Sequence, residues 1–179
     1  MVYMPAEDSY LLKEWVEKLA RGRVLDMGTG TGIQSFAALN KAKSILAVDI
    51  DPEAVEYVKN SLLFIKKPFE VRVSDLFSNI KEDETFDFII FNPPYLPESK
   101  YDKKVDVTGG KEGWETLVKF FEEAKNHLNP GGQIITVFSS LTNVSKVLSS
   151  ARELGYKFKL LAKRIIAFEI LYVYLFELK

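Results

Sequence analysis

The sequence predicts an α/β protein: an open, mostly parallel sheet with helices on both faces. Two features carry that prediction. Short apolar runs alternate with stretches of helical periodicity along the 179 residues. One of those runs, residues 86–91, is apolar except at Asp87, as a central strand buried on both faces requires.

Taken in order, residues 7–20 place Leu11, Leu12, Trp15, Val16 and Leu19 on one helical face. Residues 24–27 read as a buried strand stopped by glycines, 33–41 as a helix and 45–48 as the second strand. Pro52 falls in a first helical turn with Asp51 as its N-cap, and residues 71–73 form a short third strand. The run at 86–91 ends at Asn92-Pro93-Pro94, where two prolines forbid both helix and ladder. A helix over about 114–128 closes at Pro130-Gly131-Gly132, and a strand follows at 134–138. A helix at 142–154 stops at Gly155, and the strands at 158–162 and 168–176 pair antiparallel. No repeat, linker or low-complexity tract interrupts the pattern, so residues 1–179 read as a single domain.

Composition narrows the chemistry. The net charge of -1 gives no general electrostatic grip on nucleic acid, although a local basic patch stays open. The chain has no cysteine, which removes disulfides, thiolate metal sites and Cys nucleophiles, and no metal site is expected. The N-terminus lacks a secretory pattern, and the apolar run at 165–178 is short and interrupted by Glu169 and Glu177. The chain therefore reads as a cytoplasmic enzyme with no membrane segment.

Asp26-Met27-Gly28-Thr29-Gly30-Thr31-Gly32 lies between a predicted strand and a predicted helix. Glycines there let the backbone turn sharply and let a ligand approach the main chain. Ile33 breaks the dinucleotide pattern and no Lys follows, so the turn suits a ligand that is not gripped through phosphates. Asp49 ends the second strand, where a carboxylate accepts ribose hydroxyls. Asp75 ends the third and suits an adenine amine; Asp26 suits the ammonium of an amino-acid tail. The competing reading is that all three acids cap strand ends.

These residues, with Asp75-Leu76 and Asn92-Pro93-Pro94-Tyr95, resemble the Rossmann-like S-adenosylmethionine-dependent methyltransferases. More narrowly, the chain resembles the HemK-like enzymes that methylate the glutamine of the Gly-Gly-Gln loop in class 1 translation release factors. Tyr3-x-Pro5-Ala6-Glu7-Asp8-Ser9 and Gly109-Gly110-Lys111-x-Gly113 are similar to the short archaeal and eukaryotic branch. The resemblance implies a seven-stranded open sheet with an antiparallel last strand, and no N-terminal helical substrate domain. It implies S-adenosyl-L-methionine bound by Ser9, Asp26, Gly28, Gly30, Gly32, Asp49, Ile50, Asp75, Leu76 and Asn92. As partner it implies a small zinc-binding activator, with residues 71–73 as the edge strand that would receive it.

The catalytic residues it implies are Asn92, Pro93, Pro94 and Tyr95. An amide nitrogen is a poor nucleophile because its lone pair is delocalised. Acceptors at Asn92 Oδ1 and the Pro93 carbonyl would take its two N–H hydrogens, and Tyr95 would offer a flat face for stacking. The same tetrad serves adenine-amine methyltransferases. Glutamine, a nucleobase amine and a protein lysine all stay open as acceptors, while a catalytically silent scaffold is disfavoured by intact Asn92 and Tyr95. Among weaker signals, Ser9 reads as cover for the methionine tail against an N-cap role for Asp8 or Ser9. Residues 96–113 read as a substrate loop, His127 as a helix-end cation, Trp15 and Trp114 as packing, and Arg164 as a residue of the last connection facing substrate.

Overall fold

The computed structural model describes residues 4–94 and 113–179. In chain order its elements are α1 (Glu7–Leu19), β1 (Gly22–Met27), α2 (Ile33–Ala38), β2 (Ala42–Asp49), α3 (Pro52–Ser61), β3 (Phe69–Val73) and β4 (Phe86–Phe91). Then come α4 (Glu115–Ala124), a 3-10 turn (Lys125–His127), β5 (Leu128–Ser139), α5 (Val144–Glu153), β6 (Tyr156–Ile166) and β7 (Glu169–Leu178). The strands form one seven-stranded sheet in the order β3-β2-β1-β4-β5-β7-β6. β1 to β5 are mutually parallel, and β7 is antiparallel to both β5 and β6. This is the architecture the sequence predicts.

Neighbouring residues of a strand point to opposite faces, and each face finds its own helices. Leu25, Ile89, Ile134 and Phe176 pack under α4 and α5 against Phe120, Phe121, Val147 and Ala151. Val24, Phe88, Ile90 and Ile135 pack under α1 against Leu11, Leu12 and Val16. Each fully buried Leu, Ile or Phe of this kind contributes roughly 1.5–3 kcal/mol. α3 begins as predicted, with Pro52 in its first turn and the Asp51 side chain accepting the Glu53 amide at 2.8 Å.

Register positions the site. Met27 lies opposite Val48 and Phe91, and Asp49 lies opposite Val73. The carboxyl ends of four strands therefore share one edge. The strand order reverses between β1 and β4, whose following helices cover opposite faces, so a crevice opens between them at that edge.

Two expectations need correction and a third is extended. The helix does not run to residue 128 and stop at Pro130-Gly131-Gly132: α4 ends at Ala124, and residues 129–132 are a bulge inside β5. Phe86 pairs with Leu128 and Phe88 with Gln133, so those residues stand opposite Asp87 alone, and Asn129 Nδ2 donates to Asp87 Oδ1 at 2.9 Å. His127 does close a helical turn, the 3-10 turn after α4, but it is more than a helix-end side chain: it is buried, stacked on Phe77 at 4.8 Å, with Nδ1 2.7 Å from the Glu84 carbonyl oxygen. Arg164 lies within β6, not in a connection, and its guanidinium reaches Glu7 at 3.6 Å and Glu14 at 2.9 Å on α1. Trp15 and Trp114 pack at the margins of the two cores, as expected. Among the described residues no helix is long and apolar enough to cross a membrane.

Candidate active site

The turn after β1 is made of left-handed glycines: φ is 66° at Gly28, 53° at Gly30 and 82° at Gly32. At Gly32 a Cβ would lie 2.7 Å from the Phe36 ring and 3.2 Å from Val58, so both space and conformation require glycine. Gly28 is exposed, and its open side is available to a ligand. The Thr29 amide donates to the Val48 carbonyl at 2.9 Å, which pins the turn to β2.

Asp26 braces the turn from beneath. Its Oδ2 accepts from Thr29 Oγ1 at 2.7 Å, Ser35 Oγ at 2.6 Å and the Ser35 amide at 3.0 Å, tying the glycines to the first turns of α2. The residue is 1% exposed, and burial pushes its carboxyl up to about 6, against the hydrogen bonds from Ser35 and Thr29 that pull it down. Asp49 accepts the Gly30 amide at 2.8 Å and the Asp51 amide at 2.9 Å, so its carboxylate is oriented by backbone on both sides. Ile50 beside it is exposed.

Asp75 is exposed at the end of β3. The next residue, Leu76, is left-handed at φ 46°, a conformation costing an ordinary side chain about 1–2 kcal/mol. Ser74 Oγ donates to the Leu76 carbonyl at 2.7 Å, and Ser78 Oγ accepts the Asp75 amide at 3.0 Å. The twist sends Leu76 into the core while Asp75 faces solvent.

Asn92 leaves the end of β4 and enters the same crevice. Its Nδ2 donates to Asp8 Oδ2 at 3.3 Å and to Ser9 Oγ at 3.2 Å, both in the first turn of α1. Its Oδ1 is buried and, among the described residues, without a hydrogen-bond partner. A buried acceptor left unmatched costs roughly 1–3 kcal/mol, so this oxygen is poised for an incoming N–H. Pro93 is buried and Pro94 half-buried, which fixes the backbone that follows. Tyr95, Tyr3, residues 109–111 and all but Gly113 of the segment 96–113 expected as a substrate loop lie outside the described residues.

Ser9, Asp26, Asp49 and Asn92 are thus joined to the glycine turn or to one another by hydrogen bonds, while Ile50, Asp75 and Leu76 stand at the neighbouring strand ends. The N-cap reading of Asp8 and Ser9 fails, because the cap of α1 is Ala6, without a side-chain bond. One site residue, Gln34, escaped the sequence reading, and Asp8 was named there only as part of a motif and as a cap. Asp8 holds the Asn92 amide, and Gln34, 3% exposed, donates from Nε2 to the Ser9 carbonyl at 2.9 Å. The available signal was an acid three and four residues ahead of Leu11 and Leu12, hence on the apolar face of the helix.

The residues fit an adenosyl cofactor. Carboxylates at Asp49 and Asp75 favour hydroxyls and an amine, Asp26 adds its charge from beneath the turn, and no Lys or Arg lies between Asp26 and Gly32 to hold a phosphate. An acid-lined glycine turn at a sheet's switch point, beside a buried amide acceptor, is the arrangement a nucleoside cofactor and a polar second substrate require. Residues 7–161 match the methyltransferase small domain family, and the chain belongs to it. Across 96% of its length it is 40% identical to a provisionally named protein N5-glutamine methyltransferase of Methanocaldococcus jannaschii, covering 89% of that protein. It is 35% identical to the release factor glutamine methyltransferase of Koribacter versatilis over 73% of this chain, and spans about half of that relative's length, 52%. A chain of the E. cuniculi Mtq2–Trm112 complex, responsible for methylating the termination factor eRF1, superimposes with TM-score 0.80 at 25% identity, with 99% of each chain covered. The HemK-like resemblance carried by the motifs stands with these relatives.

Proposed function

We propose that the chain methylates the side-chain nitrogen of the glutamine in the Gly-Gly-Gln loop of a class 1 release factor, using S-adenosyl-L-methionine. The observation that carries this reading is the Asn92 carboxamide, anchored through Nδ2 and with Oδ1 buried and unmatched among the described residues. That oxygen accepts one N–H of the substrate amide, and the Pro93 carbonyl accepts the other. Together they draw electron density onto the nitrogen and hold its lone pair in one direction. Such positioning contributes roughly 7–11 kcal/mol at best and needs no side-chain base. The cofactor, held by the glycine turn with Asp49 and Asp75 at its adenosine, supplies a methyl group on a good leaving group.

The relatives support glutamine over the other nitrogen acceptors, since those of M. jannaschii and K. versatilis carry that activity in their names. The partner we propose is a small zinc-binding activator that adds to the free edge of β3. This rests on the two-chain assembly of the E. cuniculi relative, and on the exposed Val73 on that edge strand. With a release factor as substrate, the compartment we propose is the cytoplasm.

The deciding experiment incubates the chain, with and without the activator, with labelled cofactor, release factor and total tRNA, and maps the label by mass spectrometry. Label on the Gly-Gly-Gln glutamine is the expected result. Label on RNA or on lysine alone would replace the acceptor in this reading.

A further inference from the structure

A carboxamide has two ends of nearly equal size and opposite chemistry: Oδ1 accepts and Nδ2 donates. Asn92 has this ambiguity, and so does a glutamine substrate. Were Asn92 turned over, its Nδ2 would face the pocket and hold the substrate by the carbonyl oxygen, with the nitrogen directed away. Something must fix which end points inward.

We infer that Asp8 is that device: a positioning residue that sets the polarity of the acceptor pocket by accepting Asn92 Nδ2. This rests on the reading that Asn92 Oδ1 receives a substrate N–H. An ionised carboxylate accepts and cannot donate, so Asp8 Oδ2, 3.3 Å from Asn92 Nδ2, tolerates only one orientation of the amide. Ser9 Oγ, at 3.2 Å, reinforces it. Asp8 is itself held: it is 4% exposed, and its Oδ1 accepts the Ser9 amide at 2.6 Å. The Gln34 amide, donating to the Ser9 carbonyl at 2.9 Å, ties this turn of α1 to α2. The pocket's preference for N–H donors is therefore written on a different element from the one that carries Asn92.

Replacing Asp8 by a residue that donates should invert the preference. In Asp8→Asn the new amide offers a hydrogen to Asn92 Oδ1, and the flipped state competes. The expected result is a fall in kcat/KM of roughly ten- to a hundredfold, the strength of one charge-assisted hydrogen bond, with melting temperature and cofactor affinity retained. The double variant D8N/N92D places a carboxylate at position 92 that accepts on both sides, and should recover at least part of the loss. Wild-type kcat/KM in D8N, or a folded, cofactor-binding double variant no better than D8N, would overturn the inference. Should D8N fail to fold, nuclear Overhauser contacts in the wild-type protein decide. Asn92 side-chain NH2 protons close to the Ser9 β-protons support the inference, and their absence sinks it. That contact tests the orientation of Asn92 on which the inference depends, whichever substrate is correct, whereas methyl transfer by the wild-type protein tests the glutamine reading alone.

Discussion

Asp26→Asn isolates the cost of keeping a charge beneath the glycine turn. The carboxyl titrates near 6 in the folded chain, against 3.8 ordinarily, because burial outweighs the donors of Ser35 and Thr29. Below pH 3.8 both folded and unfolded states carry the proton; above 6 both have lost it. Between those limits the folded state binds more protons, so stability falls as pH rises through that window. A shift of about two pH units corresponds to about 3 kcal/mol. Urea denaturation followed by circular dichroism from pH 4 to 7 measures it: the stability difference between wild type and D26N should drop by that amount up to pH 6 and then level off. Binding of a cationic cofactor should lower the carboxyl's pKa and release a proton between pH 5 and 6, visible as a buffer-dependent enthalpy. A difference that is independent of pH would refute the account of Asp26.

Asn92→Ala should cut methyl transfer by roughly 10²–10³-fold or more while cofactor affinity persists; lost binding in a calorimeter would show that its role is misassigned. Gly32→Ala should destabilise by about 1–3 kcal/mol, since the new methyl meets the Phe36 ring in a left-handed backbone, and a thermal melt reads the loss. Phe120→Ala empties a fully buried position under β4 and should cost roughly 3–5 kcal/mol in denaturant midpoint analysis.

What was legible in the sequence was local. Strand ends marked by glycine or proline, the cap at Asp51 and the acids after β1, β2 and β3 follow from backbone rules acting over a few residues. The bulge at residues 129–132 was misread because a helix stop and a bulge both call for left-handed glycine, and only the pairing of Phe88 with Gln133 separates them. The packing role of His127 and the place of Arg164 were hidden for a different reason: their partners, Phe77 and Glu84 in one case and α1 in the other, are distant in the chain. The role of Asp8 escaped because it depends on Asn92, brought to it by the packing of α1 over the sheet.

The place of β7 has a consequence for synthesis. Among the described residues β6 pairs with β7 alone, and β7 also fills the outer side of β5. A nascent chain extruded only as far as residue 166 thus carries two strands with unmet amide and carbonyl rows, at the very stage when aggregation threatens most. The sheet can close only when β7, later in the chain than both of its neighbours, slides between them, so its outer half is the last part to be paired.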